Sequence, residues 1–130
     1  MFPLEKDFLD GIERWLPFAQ VAHQAMQPDQ CVLSSHMAVE YSAKVLYLRQ
    51  GFSPGYLSLK QILDELLPPG TLTSQLYVEL NWLRQLRNRV YHEAYLPTLD
   101  ESERALKAAQ AAANLVLPSS RGQSPKENNE

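Results

Sequence analysis

Apolar residues recur at intervals of three and four along most of the chain, which is the spacing of one face of an α-helix. Proline, glycine and helix-capping residues separate these segments. We predict five helices, over residues 4–26, 31–50, 58–67, 74–95 and 98–117. No segment alternates apolar and polar residues in the manner of a strand, so we predict an all-α fold, an up-and-down bundle of four to five helices.

Individual residues predict where these helices bend, begin and end, and which of them lies at the centre. Pro17 lies inside the first apolar pattern and is expected to kink or split that helix near residue 16. The second segment is apolar nearly all round, which is typical of a helix at the centre of a bundle, and Gly51 follows it as a left-handed cap. Two capping boxes are predicted at the starts of the third and fifth helices: Ser58 with Gln61, and Thr98 with Glu101.

Length and composition fit one soluble domain. The chain has 130 residues, of which 45% are hydrophobic and 21% charged, and its net charge is -3. We expect a helical domain over residues 1–117 and a disordered tail over residues 118–130, because the tail has no large apolar residue. The mild negative charge argues against a nucleic-acid-binding coat over the whole surface, but it permits a small basic site.

Targeting signals are not evident in the sequence. No apolar stretch approaches the roughly 18 residues that span a bilayer, and the first residues lack the basic and apolar regions of a signal peptide. Cys31 is the single cysteine, so no intrachain disulfide can form. We expect a cytoplasmic protein that does not associate with a membrane.

Common catalytic and cofactor motifs are absent from the sequence. There is no glycine-rich phosphate loop and no GxSxG nucleophile motif. The three histidines are scattered without metal-ligand spacing, so neither a metal nor a cofactor is expected. His36 follows two serines, but adjacent helical residues do not face one another, and we interpret it as a partly buried residue near Glu40.

The informative segment is the second half of the fourth helix. Placed on a wheel at about 100° per residue, its polar residues fall within about 140°. That arc carries arginine, amide, tyrosine and histidine side chains and no acid: Asn81, Arg84, Arg87, Asn88, Tyr91, His92 and Tyr95. Leu80 intrudes on this polar arc, whereas the opposite side, which includes Leu83 and Leu86, is predicted to pack on the bundle.

This polar face has the parts needed to cut RNA without a metal. Its uncompensated positive charge and its aromatic rings suit a ligand that carries phosphate and stacks its bases. Histidine can move a proton near neutral pH, and an arginine fork can stabilise a phosphate as its negative charge grows. The reaction needs both an acid and a base, but one protomer offers only one suitable histidine. We therefore hypothesise a twofold homodimer that brings two copies of this face into one cleft.

The same composition also fits a surface without catalytic activity. Tyrosine and arginine are frequent at protein–protein interfaces. The residues alone therefore leave open a helical module that binds a partner through this face.

At these residues the sequence resembles the HEPN superfamily (higher eukaryotes and prokaryotes nucleotide-binding domain). Segment 87–92, Arg-Asn-Arg-Val-Tyr-His, resembles the Rx4H signature of that superfamily. The second helix, with Glu40 and Lys44 before Gly51, is similar to the central helix of the family. The short third helix and the alanine-rich fifth helix also match, so the resemblance covers about residues 4–117.

The resemblance implies an all-α domain that dimerises around the motif helix. Many members are metal-independent endoribonucleases of toxin–antitoxin and other defence systems. By position in the motif, His92 would be the acid/base group, Arg87 the phosphate clamp and Asn88 the positioning residue. Supporting contacts with the RNA substrate are expected from their neighbours on the polar arc: Arg84, Tyr91 and Tyr95.

The resemblance also implies a partner protein. One toxin branch pairs with a small (MNT-type) nucleotidyltransferase antitoxin, which attaches AMP to a tyrosine two residues after the histidine. That position is Ala94 in this chain, and Tyr95, one residue later, is the candidate site of AMPylation. The alternative function is a non-catalytic HEPN module that binds a nucleotide or such an antitoxin.

Overall fold

Residues 3–118 are described in the structure, a computed structural model, and they form five α-helices and no strand. The helices are α1 (Pro3–Gln24), α2 (Pro28–Arg49), α3 (Leu59–Leu66), α4 (Ser74–Glu93) and α5 (Leu99–Asn114). The predicted all-α fold class is confirmed. None of the five helices within this range is long and apolar enough to cross a membrane. The predicted disordered tail lies, apart from Pro118, outside the described residues.

Helix α2 occupies the centre of the bundle, because it contacts each of the other four helices. Its buried apolar side chains include Val32, Val39 and Val45. One of its buried polar groups finds a partner inside the helix, since the Ser42 hydroxyl donates to the carbonyl oxygen of Ala38 at 2.7 Å. The other helices are therefore positioned by their packing on α2.

Helix α1 is continuous through Pro17, so the prediction of a split near residue 16 is wrong. A proline removes one backbone hydrogen bond from a helix. Both halves of α1 are nevertheless held by packing, because Ile12 and Ala19 are fully buried. The approach to α2 is close, since a Cβ atom on Gly11 would lie only 2.8 Å from the ring of Tyr41. Packing on both sides of Pro17 therefore favours one long helix over two shorter ones.

Most helix boundaries differ from the predicted ones by one to three residues, while the predicted caps are present. Helix α2 begins at Pro28 rather than at residue 31, because proline suits a first turn where its missing N–H is not needed. Helix α5 ends at Asn114 rather than at residue 117, and the turn that follows it buries Val116. Both capping boxes are formed with both of their hydrogen bonds, and Gly51 has a φ of 91°.

Helix α4 packs on the bundle through Leu80, Leu83 and Leu86, each of which is at most 3% exposed. The burial of Leu83 and Leu86 was predicted. Leu80, which intrudes on the polar arc, is buried as well. The arc therefore faces the interior at the level of Leu80 and reaches solvent only further along the helix.

Candidate active site

Helix α4 carries the Rx4H segment in its last two turns. The helix begins where the Thr73 side chain accepts a hydrogen bond from the N–H of Leu76 (3.1 Å), and it ends at Glu93. Ala94 closes it in a left-handed conformation, with a φ of 53°. Tyr95 therefore lies beyond the helix, and its predicted place on the helical polar arc is wrong.

The guanidinium groups of Arg84 and Arg87 have no carboxylate partner among residues 3–118. Arg84 Nε donates to Asn81 Oδ1 at 3.1 Å, and an Arg87 terminal nitrogen donates to Asn88 Oδ1 at 3.2 Å. Arg104, by contrast, is neutralised by Glu79 with two bonds of 2.8 Å. The two half-buried arginines of α4 thus form a local concentration of positive charge that an anionic ligand would stabilise.

These arginines line a cleft of about 320 Å³ between α2, the start of α3 and α4. Asn88 joins them on the α4 side. His36 and Glu40 of α2 form the opposite wall, with His36 Nδ1 3.7 Å from Glu40 Oε1. The placement of His36 near Glu40 agrees with its predicted position, but His36 is more deeply buried than expected, at 5% exposure.

Burial and positive charge keep the His36 imidazole neutral. Burial is the main cause, followed by the nearby charges of Arg87 and Arg84, and together they lower the pKa of His36 to about 4. The Glu40 carboxylate acts in the opposite direction, but its other oxygen lies 3.5 Å from Lys44 Nζ. Burial outweighs this attraction, because the Glu40 contact is long for an ion pair and shared with a lysine. His36 therefore offers one donor and one acceptor to the cleft at neutral pH.

Tyr91 and His92 lie past the cleft, on the exposed end of the same helix. The Arg87 guanidinium lies 4.8 Å from the centroid of the Tyr91 ring. The Tyr91 and His92 rings meet edge to face, with centroids 4.9 Å apart at 84°. Arg87, Tyr91 and His92 thus form a continuous row, and the His92 imidazole is open to a substrate or to a second subunit.

Tyr95 belongs to a different group of side chains. Its ring lies against the Arg89 guanidinium, 3.9 Å from ring centroid to Cζ, and its hydroxyl donates to Glu101 Oε1 at 2.8 Å. That hydrogen bond raises the pKa of Tyr95. Its AMPylation stays a prediction, and the hydroxyl would have to leave Glu101 to react.

The structure therefore brings together most, but not all, of the predicted site. Arg84, Arg87 and Asn88 share the cleft, and Arg87 links it to Tyr91 and His92. Side chains from two other helices also line the cleft and were not predicted as part of the site: His36, Glu40 and Lys60. In the described part of the chain, no group of three or more His, Cys, Asp or Glu side chains could hold a metal ion.

The model of the HEPN domain matches residues 7–119, which is most of the chain. The chain belongs to the HEPN domain family. No curated protein and no solved structure matches it. The predicted family is thus confirmed, and the five-helix bundle agrees with the all-α architecture expected of a HEPN domain. HEPN membership is consistent with a ribonuclease and with a nucleotide-binding module, and it does not choose between them.

Acidification should destabilise this HEPN domain through His36. Its pKa is about 4 in the folded chain against an ordinary value of 6.5. As the pH falls, the unfolded chain takes up the proton first, so stability is lost between these two values. The loss in the free energy of unfolding should reach on the order of 3 kcal/mol. Urea unfolding at neutral pH and near the lower pKa measures it.

The matched variants for this measurement are His36→Gln and His23→Gln. The first removes the titrating group and should make the loss of stability on acidification shallower, whereas the second keeps that group and should retain the loss that His36 causes. An identical pH dependence in the wild type and His36→Gln would contradict the assignment. An NMR titration of the His36 ring with an ordinary histidine pKa would do the same.

Proposed function

We propose that this HEPN-domain protein is a metal-independent endoribonuclease of the toxin or defence type, active as a twofold dimer. The observation that carries the proposal is the row formed by Arg87, Tyr91 and His92. It combines a guanidinium without a carboxylate partner in the described residues, an exposed aromatic ring and an exposed imidazole. These are the groups that bind a phosphate, stack a base and move a proton.

The proposed reaction is attack of a ribose 2′-hydroxyl on the adjacent phosphate. One His92 accepts the proton of the 2′-hydroxyl as the 2′ oxygen bonds to phosphorus. The bond between phosphorus and the 5′ oxygen breaks, and a second His92 donates a proton to that oxygen. Arg87 stabilises the negative charge that grows on the phosphate oxygens, and Asn88 holds the Arg87 guanidinium in place. The products are a 2′,3′-cyclic phosphate and a 5′-hydroxyl.

A dimer accounts for the need for two histidines. Each protomer supplies one His92, and a twofold axis beside the C-terminal end of α4 would bring the two copies together. Apolar side chains near this end support the placement, since Tyr91 is 65% exposed, Leu96 69% and Leu99 42%. A subunit interface at this surface would remove them from water.

A second candidate function is a non-catalytic module that binds a nucleotide or an MNT-type nucleotidyltransferase antitoxin. The observation in its favour is that the cleft beside Arg84 and Arg87 is complete within one protomer and does not include His92. A protein that only bound a ligand there would not need His92. The two candidates therefore differ in what the loss of His92 does.

Substitution of His92 should abolish RNA cleavage. We expect the wild-type dimer to cleave RNA in the presence of EDTA and to leave 2′,3′-cyclic phosphate ends. His92→Ala should reduce the cleavage rate by about 100-fold or more, because the substitution removes the base from one subunit and the acid from the other. Glu93→Ala, a change of an exposed residue in the same turn, is the control and should keep activity. No cleavage by the folded wild-type dimer would support the non-catalytic candidate instead, whereas unchanged cleavage by His92→Ala would contradict the proposed role of His92.

The geometry of the Arg87 guanidinium should matter as well as its charge. Arg87→Lys keeps the positive charge but loses the two-pronged hydrogen bond to phosphate. We expect a loss of about 100-fold in the rate of cleavage, with smaller losses in RNA binding. The control is Arg104→Lys. Arg104 of α5 forms a similar two-pronged pair with Glu79 of α4, and it does not line the cleft. Full activity in Arg87→Lys would show that charge alone is sufficient.

A further inference from the structure

The cleft between α2, α3 and α4 lies within one protomer and beside the proposed catalytic row. Arg87 belongs to both, because it lines the cleft and its guanidinium lies over the Tyr91 ring. His92 does not line the cleft. The volume of the cleft, about 320 Å³, is at the small end of the range for ligand pockets. This size suits a single nucleotide better than a longer segment of RNA.

The charges that line the cleft favour an anion. Three cations line it, Lys60, Arg84 and Arg87, against the single carboxylate of Glu40. Lys60 is paired with Asp64 at 2.7 Å and Glu40 is shared with Lys44, so these groups are already partly neutralised. The charges of Arg84 and Arg87 remain, and a phosphate is the anion that an arginine fork fits best.

His36 gives the cleft a fixed polar group in its wall. Its ring is buried, and within residues 3–118 it makes no hydrogen bond. The nearest carboxylate oxygen, Glu40 Oε1, is 3.7 Å away, which is beyond hydrogen-bond distance. Buried polar groups usually have a hydrogen-bond partner, so the His36 imidazole has an unfilled position for one. A base edge or a ribose hydroxyl would supply it.

We propose that this cleft is a nucleotide subsite for the residue that flanks the scissile bond, with His36 as a specificity-determining residue. Arg84 and Arg87 hold the phosphate of that nucleotide, and His36 makes a hydrogen bond to its base or ribose. Asn88 adds an amide at the α4 wall. The assignment of the occupant as RNA rests on the proposed ribonuclease function, whereas the binding of a nucleotide does not.

The binding test uses the full chain carrying His92→Ala, which leaves every residue of the cleft unchanged. The probes are AMP, GMP, CMP, UMP and inorganic phosphate, titrated by calorimetry and by NMR of the histidine ring signals. We expect at least one nucleotide to bind about tenfold more tightly than inorganic phosphate, with shifts of the His36 ring signals and none of His23. Equal binding of all probes, or an unmoved His36 signal, would overturn the proposal.

Two variants in that background sharpen the test. His36→Gln should weaken the preferred nucleotide by about tenfold and change the preference among the four bases, while His23→Gln should do neither. Arg84→Gln should weaken all four nucleotides and inorganic phosphate alike. If His36→Gln fails to fold, the NMR shifts in the protein with an intact His36 decide the question. Identical base preference in a folded His36→Gln would count against the proposal.

The failure of this proposal can be told apart from failure of the proposed function. Nucleotide binding at His36 together with no RNA cleavage by the wild type would support the subsite and reject the ribonuclease. RNA cleavage with an unchanged sequence preference in His36→Gln would support the ribonuclease and reject the specificity role.

Discussion

The positive charge of Arg84 and Arg87 is the feature on which the functional account depends. The two residues lie three positions apart on α4, and in the described part of the chain neither is paired with a carboxylate. Neighbouring like charges on a helix lower its stability, and an acidic residue nearby would remove that cost. In this arrangement no carboxylate of the described residues neutralises the two arginines, so their charge is available to an anionic ligand. Functional sites often retain such locally destabilising features.

The bundle determines where this charge lies. Helix α4 packs on the central helix α2, and the leucines of α4 bring the first part of its polar arc against α2 and α3. The same arc emerges into solvent at Tyr91 and His92. One helix thus lines a cleft with its middle turns and offers an exposed imidazole at its end, and Arg87 connects the two regions.

Much of the fold, and part of the site, could be predicted from local rules. Helical periodicity placed Arg84, Arg87 and Asn88 on one face, and the capping boxes marked two helix starts correctly. Rules within one helix were insufficient where another helix decides the outcome. They left Leu80 on the polar arc, although it is buried, and they allowed Pro17 to kink or split α1, which is not split. Tyr95 was misplaced because nothing in the sequence marked Ala94 as a left-handed cap. His36 was missed as a cleft residue because its closeness to Arg84 and Arg87 arises from packing between helices.

The measurement that tests the account most directly is the site of contact between two subunits. Cys31 is buried and is the single native cysteine, so an introduced cysteine can be cross-linked selectively. Tyr91→Cys should form a covalent dimer rapidly with a short bifunctional thiol reagent, because the account places the two α4 ends together. Val21→Cys, at an exposed position on α1, should not. A stable dimer that cross-links through residue 21 and not through residue 91 would contradict a shared site built from two copies of His92.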